Sequence, residues 1–192
     1  MPLNLYSDND SDFTKNVFWG STSGYFYYYE KDEEGKNKRK FIKKEFKACF
    51  DFHNIETGYA RYNGTFSEFI ADPSLEKPAP KPDSGGDKDE WSRGFRINLL
   101  SKTLDGKMNF LNHGWHCGQA MNGFYAEFEK DKKEGQSPVV LIGEDAKQSG
   151  SYFIPDWKIV DWVDTPKEFL KEPKKAKEPE QAQPATDDDD DF

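Results

Sequence analysis

Apolar residues in the first half of this chain recur at every second position. Between residues 46 and 53, Phe46, Ala48, Phe50 and Phe52 alternate with Lys47, Cys49, Asp51 and His53, the period of a half-buried strand. "ETG" (56–58) turns the chain into "YARY" (59–62), and Asn63-Gly64 turns it again into "TFSEFI" (65–70), so a three-stranded meander is predicted. Upstream, "YFYYYE" (25–30) is a β-prone aromatic run with Tyr25, Tyr27 and Tyr29 on one face. Residues 93–111 predict a second hairpin, with Phe95, Ile97 and Leu99 sharing a face and Asp105-Gly106 at the turn.

The period then changes. In residues 117–133 the apolar positions Ala120, Met121, Phe124, Tyr125 and Phe128 follow helical spacing, and lysines close the segment before Gly135. "PVVLIG" (138–143) and "YFIPDWKIVDWV" (152–163) predict the last strands, with Pro155 at an edge or bulge and Trp157 and Trp162 in the core. The fold class expected is mainly β: a small OB-like β-barrel, closed or half-open, with one α-helix between later strands. A two-sheet sandwich is the competing arrangement. Residues 72–90, with four prolines and a glycine pair, read as a long polar loop inside a domain spanning 1–166. From Lys167 the chain is Lys, Glu, Pro and Ala followed by Asp187–Asp191 and Phe192, a composition that predicts a flexible acidic tail over 167–192.

Composition narrows the function classes. Only 34% of residues are hydrophobic while 16% are aromatic, so core and binding surfaces are expected to be aromatic-rich. No secretory leader, no membrane span and only two cysteines point to a soluble protein of a reducing cytoplasm. The net charge is −9: residues 165–192 carry five lysines against nine carboxylates, and the rest of the chain contributes −5. That total argues against a nucleic-acid binder. Locally the balance reverses, because "KNKRKFIKK" (36–44) has six basic residues and no acidic one; such a run is either a solvated edge or a polyanion contact.

Taken in order, "ETGYARYNG" (56–64), "RGFRINLL" (93–100), "SPVVLIG" (137–143), "IPDWKIVDWVDTP" (154–166) and the acidic tail ending in phenylalanine resemble the OB-fold single-stranded-DNA-binding proteins of bacteriophages. The resemblance covers about two-thirds of the chain. It implies non-sequence-specific binding and protection of single-stranded DNA in phage replication, recombination and repair. It also implies a tail that contacts replication or recombination proteins. The acidic body and the polar 72–90 loop depart from that pattern.

Binding a single strand needs rings on which bases stack and cations that follow phosphates. Candidate platforms are Tyr25, Tyr27, Tyr59, Tyr62 and Trp91; candidate phosphate contacts are Lys38, Arg39, Lys40, Lys43, Arg61, Arg93 and Arg96. Tyr59 and Tyr62 fall on opposite faces of a common strand, so at most one of them serves. For each ring the competing role is core packing. Cys49, His53, His113, His116 and Cys117 form a set tetrahedral zinc would accept, yet their spacing matches no standard finger and they are left out of the site. No phosphate loop or nucleophile motif appears, so neither an enzyme nor a cofactor is expected. Homo-oligomerisation is left open.

The tail has two readings. Asp187, Asp188, Asp189, Asp190 and Asp191 can mimic phosphates in the domain's own groove and give way to DNA, freeing Phe192 for a partner's pocket; or they solubilise. The competing class for the whole chain is an acidic DNA mimic that occupies a host enzyme.

Overall fold

A computed structural model describes residues 15–170 apart from 63–66, 85–89, 105 and 144–145. Asn63-Gly64, Asp105 and the tail 171–192 therefore lie outside the described residues, as do Asp187–Asp191 and Phe192. The described chain runs β1 (Lys15–Gly20), β2 (Tyr25–Lys31), β3 (Asn37–Ile42), β4 (Phe46–Phe50), β5 (Glu56–Tyr62), β6 (Ser67–Ala71), β7 (Ser92–Ser101) and β8 (Gly106–Asn112). It continues through α1 (Trp115–Asp131), β9 (Gln136–Ile142), β10 (Lys147–Ser149), β11 (Tyr152–Ile154) and β12 (Trp157–Asp164). Among the described residues the protein is mainly β with one helix, as the alternating pattern predicts.

Ten strands form one mixed sheet in the order β12-β9-β4-β7-β8-β1-β2-β3, with β5 branching from β7 and carrying β6. The sheet is not closed into a barrel by hydrogen bonds. Its one parallel pair is β1 with β8.

The meander expected over 46–70 is corrected. β4 does not pair with β5; both pair antiparallel with β7, through Cys49 and Phe50 for β4 and Glu56 to Ala60 for β5. The two lie end to end along one edge of β7, separated by a 3-10 turn at Phe52–Asn54. Asp51 fixes that turn. Its carboxylate is fully buried and accepts both contacts from Asn54 Nδ2 at 2.9 and 3.0 Å, while its N–H donates to the Asn98 carbonyl at 3.0 Å. Sequence periodicity cannot show this, because one bent strand and two paired strands share the same alternation.

Other boundaries shift for physical reasons. The run 152–163 is two strands, since Pro155 and Asp156 interrupt it and β11 pairs with β10 in a separate sheet. The lysine run 36–44 holds β3, an edge strand. The folded body continues past residue 166: Phe169 is 2% exposed, packs with Cys49 and Leu100, and its carbonyl accepts from Asn54 Nδ2 at 2.9 Å. A buried phenylalanine contributes about 1.5–3 kcal/mol, enough to hold a short turn that composition marks as tail.

The core lies between the inner face of the sheet and α1. Cys117, Met121, Phe124 and Phe128 form the buried stripe of the helix. Phe128 stacks on Phe52 at 4.8 Å, and Phe124 meets Trp157 at 5.5 Å. Phe95, Ile97, Leu99, Met108, Phe110, Val17, Trp19 and Phe26 fill the sheet side. Among the described residues no helix is long and apolar enough to cross a membrane.

Candidate nucleic-acid interface

With Val17, Trp19 and Phe26 turned into the core, the alternate residues of β1, β2 and β3 must face outward. Those residues are rings. Phe18 pairs with Tyr27 and Tyr27 with Phe41, so three aromatics stand side by side across three strands. Ring centroids are 5.4 Å apart for Phe18 and Tyr27, which stack, and 6.0 Å for Tyr27 and Phe41. Tyr25 and Tyr29 extend the patch along β2, at 6.4 Å from Phe41 and 5.8 Å from Tyr27. Phe41 remains 41% exposed.

This face is concave. Tyr62 on β5 and Tyr29 on β2 are four strand spacings apart, about 19 Å in a flat sheet. Their hydroxyls nevertheless meet at 3.4 Å. The sheet therefore curls toward the outer face, with β7, β8 and β1 as floor and the β5–β6 and β2–β3 hairpins as walls. Gly58 and Gly94, paired in register, permit the bend. A Cβ at Gly58 would strike the Ile70 carbonyl, and one at Gly94 the Asn112 carbonyl.

Arg39 stands opposite Tyr29. Its guanidinium lies 4.5 Å from the Tyr27 ring centre and donates to the Tyr29 hydroxyl at 3.1 Å. Among the described residues no carboxylate pairs with it. The Tyr29 bond raises its pKa, which keeps it cationic. Burial alone would raise the Tyr29 phenol, but hydrogen bonds from Tyr62 and Arg39 hold it below its ordinary value. Tyr62, donating to Tyr29, is pushed up to about 12. Arg39 and Tyr62 thus both donate to the Tyr29 hydroxyl, which bridges the mouth of the trough.

The remaining candidates divide. Tyr62 reaches the trough and is 37% exposed; Tyr59 faces the other side, beneath the Arg93 guanidinium at 5.0 Å. Lys38 and Lys40 alternate with Arg39 and so face away from it, Lys40 lying 3.7 Å from Glu30. Lys43 is exposed beyond the end of β3. Trp91 is corrected: it is 7% exposed, capped by Arg61 at 4.8 Å, and offers no platform.

Three arginines are already claimed. Arg61 pairs with Glu68 at 2.6 Å, Arg96 with Glu56 at 2.6 Å, and Arg93 grips Asp72 through two contacts of 2.8 and 2.6 Å. Arg93, with further hydrogen bonds from Thr57 and the Ala79 N–H, holds the Asp72 carboxyl well below the usual carboxylate range despite its burial. Arg93 also lines a separate groove of about 660 Å³ beside the start of α1. Of the four arginines, Arg39 is the one positioned beside rings without a carboxylate partner among the described residues.

The cysteine–histidine set is not assembled. Among the described residues no three His, Cys, Asp or Glu side chains could hold a metal ion. Both thiols are buried, and burial pushes Cys49 up to about 12 and Cys117 well above its ordinary value. His53 instead meets the Gln136 carbonyl at 3.0 Å and the Phe128 ring at 5.5 Å. Sequence reasoning missed Phe18 and Phe41. Phe18 is legible once Val17 and Trp19 are assigned inward; Phe41 is masked by the lysines around it.

Compared with known proteins, the chain matches no family model, no curated protein sequence and no solved structure.

Proposed function

We propose that this protein binds single-stranded DNA along the aromatic trough, without strict sequence preference and without catalysis. The observation that carries this reading is the row Phe18–Tyr27–Phe41 with the uncompensated Arg39 against it. Ring faces accept any base, at about 1–3 kcal/mol each, and a cation beside them meets the phosphate that follows.

Topology supports an OB-type reading. Taking β4 with β5 as one bent first strand, then β7, β8, β9 and β12, the sheet order is 5-4-1-2-3, with the helix between the third and fourth. In that fold the face of strands 2 and 3 binds oligonucleotides, and here that face is the trough floor. β1 occupies the far side of β8, where closure of the barrel would otherwise occur.

In this reading the protein coats and protects single strands during phage replication, recombination and repair in the host cytoplasm. The acidic segment 187–191 competes with DNA for the trough, and Phe192 engages replication partners. A second reading, an acidic DNA mimic, is favoured by the net charge of −9 and by the three carboxylate-paired arginines.

Anisotropy of an end-labelled, unstructured oligonucleotide separates them. It suits the site better than tryptophan emission, because the trough rings are Tyr and Phe. Saturable binding that weakens with salt supports the trough; a flat titration supports the mimic.

A further inference from the structure

The floor of the trough carries a second row beside the rings. Asn98 of β7 pairs with Asn109 of β8, and Asn109 pairs with Asn16 of β1. All three amides belong to the outward face, since Ile97, Leu99, Phe110 and Val17 take the inward positions. Asn16 precedes Phe18 by two residues, about 6.6 Å along β1, and from β1 the amide row extends across β8 and β7 while the ring row extends across β2 and β3.

Asn109 does not behave as a structural asparagine. It is 9% exposed, and its Oδ1 is buried with no hydrogen-bond partner. Asn112, on the same strand and equally buried, shows the alternative. Its Nδ2 donates to the Trp19 carbonyl at 3.2 Å and its Oδ1 accepts the Gly114 N–H at 2.7 Å. Both ends of Asn112 are used by the fold, whereas an unpaired buried acceptor at Asn109 costs stability. An apolar residue there would remove that cost.

We infer that the amide row reads base edges. Asn109, flanked by Asn98 and Asn16, favours a base whose exocyclic amino group donates to Oδ1 while a neighbouring ring nitrogen accepts from an amide N–H. Adenine presents that pair on its edge. A base lying on Phe18 projects its edge toward Asn16 and, one strand over, Asn109, so stacking and edge recognition act on one nucleotide. The trough therefore tolerates all bases and holds adenine and cytosine, whose unpaired N4–H and N3 form the same pair, tighter than thymine. This rests on the single-strand reading above and refines it.

The test compares two oligonucleotides of one length, oligodeoxyadenylate and its analogue in purine lacking the 6-amino group. Stacking is nearly preserved and the donor is removed. The wild-type chain should bind the adenine oligomer at least about fivefold tighter. In Asn109→Leu the ratio should fall to near one, and the midpoint of thermal unfolding should rise. If that variant fails to fold, Asn98→Ala at the half-buried end of the row should still lower the ratio. Equal wild-type affinities with saturable, salt-sensitive binding would overturn the amide reading and leave single-strand binding standing. An unchanged ratio in the variants would overturn it as well, and absence of binding to either oligomer would remove both.

Discussion

Replacing Tyr27 by alanine tests the trough at its centre. The ring lies between Phe18 at 5.4 Å and Phe41 at 6.0 Å, with Tyr29 at 5.8 Å and the Arg39 guanidinium at 4.5 Å. A base stacks on this ring by taking the place of the Arg39 guanidinium, so removal of the ring deletes one stacking platform, worth about 1–3 kcal/mol per base. The Arg39 contact with the same ring is already made in the free protein and adds nothing to binding, so the loss is about 5-fold to 160-fold in affinity. Anisotropy of a labelled oligonucleotide at fixed salt measures it, with the thermal midpoint checked to show that the fold survives. Tyr59→Ala, on the opposite face of β5, supplies the comparison and should change affinity less than about twofold. If Tyr27→Ala binds as tightly as the wild type while remaining folded, the rings are not a platform and the trough reading fails.

Arg39→Gln should reduce the slope of log affinity against log salt by about 0.7, the value of one phosphate contact on a single strand; an unchanged slope would show that Arg39 meets no phosphate. Deleting residues 187–192 should tighten DNA binding, most clearly at about 50 mM salt, and equal affinities there would refute competition by the tail. Asp72→Asn should destabilise the fold by about 2–3 kcal/mol at neutral pH, since the 2%-exposed carboxylate carries charge-assisted bonds from Arg93. Because the folded-state pKa of Asp72 is depressed, its contribution is complete above the unfolded value of about 3.9 and fades as pH falls below it. Wild-type and variant denaturation curves should therefore converge in acid, and a constant gap down to pH of about 2 would contradict the assignment.

The fold was legible where one face of a strand or helix is buried. The alternation at 46–52, the inward set Phe95, Ile97 and Leu99, and the helical stripe through Met121, Phe124 and Phe128 all reappear as core. Pairing was not legible, because period-2 alternation fixes a strand's face and not its neighbour. β4 and β5 both pair with β7 around a bend at which the buried Asp51 carboxylate is bonded to Asn54. Tyr27, Tyr62 and Arg39 stand out as candidates by residue type, and their convergence on one trough depends on a curl set by Gly58 and Gly94. Trp91 was misread for the converse reason: at a loop junction it looked exposed, whereas Arg61 and the β5–β7 pairing cover it. Nothing in composition distinguishes Asn109 from Asn112. The difference lies in which carbonyls and N–H groups the fold brings within reach.

The pairing of the arginines reconciles an anionic body with the proposed single-strand reading of the trough. A chain of net charge −9 repels a polyanion at long range, so electrostatic steering cannot supply the affinity. Glu56, Glu68 and Asp72 hold Arg96, Arg61 and Arg93, so those cations contribute little to phosphate attraction unless the carboxylates are displaced. What remains is short-range: ring faces that are indifferent to charge, one guanidinium held among phenols, and amides at the floor. Such a site should bind with a shallow salt dependence, a slope near −0.7 for each phosphate met by Arg39 alone. A cationic trough contacting many phosphates would give a slope several times larger. The slope of the wild-type protein therefore distinguishes stacking from charge as the source of affinity, independently of any substitution.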